Sequence, residues 1–283
     1  MSWLRNPWGR PRALVVVTVA YILWSILPVA IAVLFAFNNG RSRTAWQGFS
    51  FRWFTGGTGS VFHDPSLQGA LEHTLILALI CVGVATPMGV ALALGLQRWR
   101  GRGGGTINTV MLLPLVTPEI VMGVALLLLF LRIFPSIGLG TQAQAIGQVT
   151  FTLSYVVVIV RGRLASIGPE YEEAAADLGA PPHDLLLRVL LPLLAPAIIA
   201  SAAVVFALSI DDFVVTQYLS SDASTTTVSM LLYASARGAP TPALNAIATV
   251  ALTITLATLA LAFYVYRRFA TGREAAAVAA LEL

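Results

Sequence analysis

The sequence predicts an all-α protein that crosses a membrane six times. Three observations predict it. Of 283 residues, 57% are hydrophobic and only 11% charged, whereas soluble domains carry about a quarter charged residues. Mean hydropathy is +0.82. The apolar residues gather into six runs, and a spanning helix needs about 20 residues at 1.5 Å rise each.

The first run, 13–37, contains no charge. It exceeds a signal-peptide core and is followed by no small-residue cleavage site, so it reads as a retained anchor. The second covers about 74–96. Its Gly83, Ala85, Gly89, Ala91 and Ala93 predict close helix packing. The third, about 107–134, contains Pro114 and Thr117-Pro118-Glu119. It is expected to break near 114–118 and restart, with Thr117 as cap, Pro118 in the first turn and Glu119 favouring the helix N-terminus. The fourth, about 143–160, is shorter and more polar. Gln148, Thr152 and Tyr155 share one of its faces by their i, i+4, i+7 spacing, which suits helix packing or a cavity. The fifth covers about 193–219 and the sixth about 244–266. The chain thus divides into an N-terminal segment 1–12, a six-helix transmembrane domain 13–269, and an alanine-rich tail 270–283, read as a frayed helix or disordered.

Orientation follows from the basic residues, all 17 of which are arginine. With the N-terminus inside, twelve lie in inner segments (Arg5, Arg10, Arg12, Arg98, Arg100, Arg102, Arg161, Arg163, Arg188, Arg267, Arg268, Arg273) and five in outer loops (Arg41, Arg43, Arg52, Arg132, Arg237). Positive residues favour the cytoplasm, so both termini are placed there. The longest outer loop, 38–70, holds Trp46, Phe49, Phe51, Trp53 and Phe54, expected at the membrane interface.

Several chemistries are excluded. The single cysteine, Cys81, makes no internal disulfide, and His63, His73 and His183 stand too far apart in sequence for a metal motif. With no lysine there is no G-x-x-x-x-G-K-[ST] phosphate loop. No catalytic residue, bound cofactor, metal or nucleic-acid partner is expected, and the glycine-rich Gly103-Gly104-Gly105 reads as an inner-loop linker.

The inner loop 161–192 is too long for a simple helix connection, and its content is helical. Pro169-Glu170 starts a helix, Glu172 to Ala176 continue it, Gly179 ends it and Pro181-Pro182 enforce the stop. A second short helix, 185–191, is expected before Pro192 opens the fifth span. Ala174 and Ala175 permit close approach, and Glu173 and Asp177 share a face. An acid-edged knob of this kind suits docking into another protein's groove. A connector lying on the bilayer would instead carry basic residues and large aromatics.

The spacing Glu173-Ala174-Ala175, three residues, Gly179, nine, Val189, one, Leu191-Pro192 resembles the EAA loop of ABC importer permeases, with Val189 in place of isoleucine. The segments 48–54 (GFSFRWF), 112–130 (LLPLVTPEIVMGVALLLLF), 206–219 (FALSIDDFVVTQYL) and 241–250 (TPALNAIATV) are similar to the second permease of spermidine/putrescine importers. The resemblance implies a type I importer permease fold with a cytoplasmic coupling segment at 168–192. It implies that Glu173, Ala174, Ala175, Asp177, Gly179, Leu191 and Pro192 engage a cytoplasmic ATPase dimer, which holds the ATP and Mg. It also implies a homologous second permease and an extracytoplasmic solute-binding protein as partners, besides membrane lipid. The implied solute is a polyamine, with iron(III), thiamine or phosphonate as alternatives within the same class of machine.

Three acids fall inside the apolar runs: Glu119, Asp211 and Asp212. A charge in hydrocarbon costs at least about 2.5–3.5 kcal/mol, so each needs a partner, water or a proton. With Tyr155 they are the candidate solute path. Adjacent helical residues point about 100° apart, so Asp211 and Asp212 are expected to differ in role, one facing the path and the other paired within the protein or marking an unwinding. Structural roles for all three acids, and an ion-coupled secondary transporter, are the rival readings.

Overall fold

The structure, a computed structural model, describes residues 12–42, 45–98, 104–236 and 241–281. Arg5, Arg10, Arg43, Arg100, Arg102, Arg237, Gly103 and all but the last residue of the segment 1–12 lie outside those residues. The described helices are α1 (Arg12–Ala36), α2 (Arg52–Thr55), α3 (Pro65–Arg98), α4 (Gly104–Val116), α5 (Glu119–Arg132), α6 (Thr141–Ile167), α7 (Glu170–Asp177), α8 (Pro182–Asp211), α9 (Val214–Leu219), α10 (Val228–Ala236) and α11 (Pro242–Leu281). Among the described residues the only extended pairing is a single bridge between Asn38 and Phe49.

Five helices (α1, α3, α6, α8 and α11) are long and apolar enough to cross a membrane. The sixth apolar segment is the pair α4–α5, bent by 110° where Thr117 and Pro118 interrupt it. The expected break is therefore present, but its cap is not. Thr117 donates its hydroxyl back to the Leu113 carbonyl at 2.7 Å, and Pro118 occupies the cap position of α5. A threonine next to a helix end can satisfy the outgoing helix as well as the incoming one.

The centre is built from α3, α6 and α8, which pack on one another, with α11 against α8 and α1 against α11. α1 is the outermost helix, and its residues from Leu14 to Phe35 are exposed or half-buried, with only Ala36 at its end buried. This is what an all-apolar helix facing lipid should show. The short α9 packs between α5 and α6. Cys81, Ala85, Ala93, Val156, Leu194 and Val205 form one buried cluster where the central helices cross. Met122, Leu126, Phe130, Phe151, Val215 and Leu219 form another between α5, α6 and α9.

Several boundaries differ from the sequence reading. α3 begins at Pro65, not near 74, because Asp64 accepts from the Ser66 amide and hydroxyl and starts a polar first turn that hydropathy does not register. α6 runs to Ile167, so the expected short fourth span is a 27-residue helix carrying Arg161 and Arg163. The fifth run is not one helix. It starts at Pro182, stops at Asp211 and restarts at Val214. Consequently the second short helix of the inner loop is not separate from the span. A six-residue π-helical stretch, Leu185–Leu190, carries the ladder directly to Pro192, the residue that lacks an N–H. α11 continues to Leu281, with no break at residue 270. In the long loop Trp53 is buried, its indole N–H donating to the Asn38 carbonyl at 2.7 Å, whereas Trp46, Phe49 and Phe51 are exposed.

Of the small residues in α3, Ala85, Gly89 and Ala93 are buried while Gly83 and Ala91 are exposed. A Cβ on Gly89 would stand 2.5 Å from Val156 Cβ, and one on Gly83 would meet nothing. Gly89→Ala should therefore destabilise the protein by about 1–3 kcal/mol, seen as a lower thermal midpoint in detergent, with Gly83→Ala close to wild type. Equal midpoints for the two variants would disprove so close a contact of α3 with α6.

Candidate functional site

Two places could carry function, one at each end of α8. The first is α7 with its turn. None of its eight residues is buried. Glu173, Ala174 and Asp177 are exposed, Ala175 is half-buried, and Leu178 is 89% exposed. Three acids fill the first turn, where the helix dipole favours negative charge. The turn after α7 is closed by two crossed bonds, from Ala180 N to Ala175 O at 3.0 Å and from Gly179 N to Ala176 O at 2.9 Å. That is the Schellman arrangement, and Gly179 takes the left-handed conformation it requires, with φ +77°. α7 rests on the π-helical stretch of α8. Beyond it, Asp184 pairs with Arg188 at 3.1 Å. Leu191 and Pro192 are half-buried within α8, and Leu191 packs on the central cluster. Behind α7, a cleft of about 680 Å³ opens between Gln97, Leu164, Ile167, Pro169, Glu172 and Leu190.

The second place is the interruption between α8 and α9. Asp212 is extended (φ −61°, ψ 119°) and ends α8. Ending a helix there strands the carbonyls of Ser209 and Ile210, whose regular partners would be the amides four residues on. Gln148 of α6 donates to Ser209 O at 3.3 Å, and the Ser229 hydroxyl donates to Ile210 O at 2.9 Å. The Asp212 carboxylate accepts from Val215 N at 3.2 Å and Thr216 N at 3.0 Å, satisfying the first amides of α9, and from Gln148 Nε2 at 3.2 Å. One turn along α6, Gln144 Oε1 accepts from His73 Nε2 of α3 at 2.8 Å, and the Gln144 amide nitrogen donates to the carbonyls of Thr216 and Thr225. Gln144 and Gln148 are 0% and 1% exposed. Close packing surrounds them: a Cβ on Gly147 would lie 2.7 Å from Leu219 and 2.8 Å from Val215 side-chain carbons.

The sequence-predicted acids divide. Asp212 is half-buried and fully engaged as described. Asp211 and Glu119 are exposed and make no hydrogen bond or ion pair with the described residues. Glu119 opens α5 and lies within electrostatic reach of Asp212. Tyr155 is half-buried, its ring edge-on to Phe151 at 5.3 Å. Gln148 and Thr152 do share a face, but Thr152 bonds back to the Gln148 carbonyl, so that face serves helix packing. Sequence reasoning missed Gln144, His73 and Ser209. The signal was present for Gln144, which precedes Gln148 by four residues in an apolar run. Among the described residues no group of three His, Cys, Asp or Glu side chains could hold a metal. What the second place offers chemically is two exposed carboxylates near two helix interruptions, an arrangement that attracts a cation.

Residues 85–273 match the family described as binding-protein-dependent transport system inner membrane component. The chain is 32% identical over 254 residues to the putrescine transport system permease protein PotI of Escherichia coli (strain K12), covering 88% of this chain and 87% of that protein. It is 32% identical over 257 residues to the spermidine/putrescine transport system permease protein PotC of Haemophilus influenzae, covering 91% and 96%. Among solved structures, a chain of a bacterial ABC transporter involved in alginate import superimposes with TM-score 0.74 at 18% identity, covering 94% of this chain and 96% of that one. A chain of the MetNI methionine ABC transporter superimposes with TM-score 0.55 at 17% identity, covering 71% and 93%.

A β-branched residue at Gly179 would be forced into the left-handed region at a cost of about 1–2 kcal/mol. For Gly179→Val we expect amide exchange at residues 179 and 180 to quicken about fivefold or more, with exchange in α6 unchanged. Undisturbed exchange at those two amides would refute the turn assignment.

Proposed function

The chain belongs to the family of binding-protein-dependent transport system inner membrane components, and we propose that within an ATP-driven importer it forms half of a path for a polyamine such as putrescine or spermidine. The observation that carries the solute class is the pair of exposed carboxylates, Asp211 and Glu119, beside helix interruptions within apolar stretches. Such charges are costly in hydrocarbon unless countered. A solute with two or more ammonium groups supplies the counter-charge, whereas an anion would be repelled. The relatives named for putrescine and spermidine support the same class. Tyr155 lies at the edge of this proposed path.

In this reading α7 is the element that the ATPase grips. Glu173 and Asp177 present acid to a basic groove, Ala174 and Ala175 allow close approach, Gly179 sets the angle, and Leu191 and Pro192 root the unit in α8. That places the α7 end and both termini in the cytoplasm, and the Asp211 end toward the outside. A homologous second permease completes the path and covers the acids, a solute-binding protein delivers from outside, and ATP with Mg is hydrolysed by the ATPase dimer. The two permeases then rock against each other to expose the solute alternately on each side.

The test is reconstitution in liposomes with the ATPase, second permease and binding protein encoded beside this chain. Putrescine should stimulate ATP hydrolysis and accumulate inside. Glu173→Ala should lose most of the stimulation, by about tenfold, the equivalent of one charge-assisted contact. If Glu173→Ala supports wild-type stimulation, α7 is not the coupling element. Asp211→Asn with Glu119→Gln should lose putrescine uptake by at least about tenfold while the complex still assembles. Unimpaired uptake in that double variant would remove the cation path.

A further inference from the structure

Two neighbouring carboxylates, Asp211 and Asp212, sit at the end of α8, and every bond the structure gives them goes to one. Asp212 caps α9 through Val215 N and Thr216 N and receives Gln148 Nε2. Asp211 receives none of these and stays exposed. Gln148 does more than hold Asp212. Its Nε2 also reaches Ser209 O, and its Oε1 accepts the Ser209 hydroxyl and, at 3.1 Å, the Cys81 thiol of α3. The one side chain therefore ties α6 and α3 to both sides of the interruption, at Ser209 before Asp211 and at Asp212 after it. In a region poor in water no solvent molecule can replace such bonds cheaply.

We propose that the two acids divide the work: Asp212 is a structural cap, Asp211 is the acid that meets the cationic solute, and Gln148 is the positioning residue that fixes the Asp211–Asp212 step. This inference rests on the polyamine reading for Asp211 only; the clamp itself does not. An asparagine at 212 can place its single oxygen where Oδ2 lies and keep the bonds from Thr216 N and Gln148 Nε2, giving up only that from Val215 N, so the charge at 212 is dispensable. At 211 the charge is the function. Because Gln148 acts through the placement of Asp211, its loss should matter only while that charge is present.

The experiment is a double-mutant cycle on the reconstituted importer, reading the putrescine uptake rate at saturating binding protein. Asp211→Asn and Gln148→Ala should each lose about tenfold, and the double variant no more than either alone. Asp212→Asn should stay within about threefold of wild type. Gln148→Met, which preserves volume, replaces Gln148→Ala if the smaller side chain prevents assembly. A double variant that loses about a hundredfold, or an Asp212→Asn as defective as Asp211→Asn, overturns the division. Amide exchange at Val215 and Thr216, read on the same complexes, should quicken in Gln148→Ala. If wild-type vesicles take up no putrescine, the polyamine reading falls, and the exchange result alone decides the clamp: quickened exchange supports it and unchanged exchange overturns it.

Discussion

A backbone carbonyl or amide inside a membrane must find its partner within the protein, and that requirement organises the middle of this molecule. A helix that stops at Asp211 and restarts at Val214 strands groups at both ends. They are collected by side chains from elsewhere: Gln148 takes Ser209 O, Ser229 takes Ile210 O, Asp212 takes the first amides of α9, and Gln144 takes Thr216 O. Even the last carbonyl of α9, at Leu219, is met by Gly140 N at 2.7 Å. Two glutamines one turn apart on α6 thus make an interruption tolerable that would otherwise cost several kcal/mol. Their placement in turn requires α6 to lie in contact with α3, α8 and α9 together, as it does.

This explains which features were legible in the sequence. The bend between α4 and α5 was foreseeable because proline writes it locally: Pro114 and Pro118 remove donors whatever surrounds them. The stop after α7 was equally local, with Gly179, Pro181 and Pro182 in a row. The interruption at Asp212 has no such residue. Ser-Ile-Asp-Asp-Phe contains neither glycine nor proline, and only tertiary partners let the chain leave the helix there. That Asp211 and Asp212 would have different surroundings followed from helical geometry, but which acid is bonded and which exposed depends on Gln148, 64 residues from Asp212 in sequence. Helix ends at Pro65 and Ile167 were hidden for a plainer reason: their terminal turns are polar and lie beyond the apolar run that hydropathy detects.

The two functional candidates are joined by a single element. α8 begins beside α7 and ends at Asp211, about 45 Å away at 1.5 Å per residue. In the proposed importer a push on α7 enters this helix through the π-helical stretch on which α7 rests. That stretch is also where the helix is least regular, with Leu191 N bonded to Leu186 O just before Pro192. A second proline, Pro196, follows one turn later and is buried. Compliance is thereby concentrated near α7, and from Ala197 to Asp211 the helix is uninterrupted.

A lever that is soft at its driven end and stiff beyond must be held firmly where it delivers the motion, or the far end would bend instead of moving its load. The far end is where the glutamine clamp sits. Gln148 binds Ser209 in α8 and Asp212 just beyond it, and Gln144 binds α9 and the segment after it, so rotation of α8 would carry α9 with it. α9 packs on α5, whose Gly123 lies so close that a Cβ there would be 2.7 Å from Tyr218. Glu119 opens that same α5. Displacement of α8 would therefore move Asp211 directly and Glu119 through α9, altering the spacing of the two exposed carboxylates together. In the proposed importer a cation held between them would lose its site when that spacing changes, which is what release on the inner side demands.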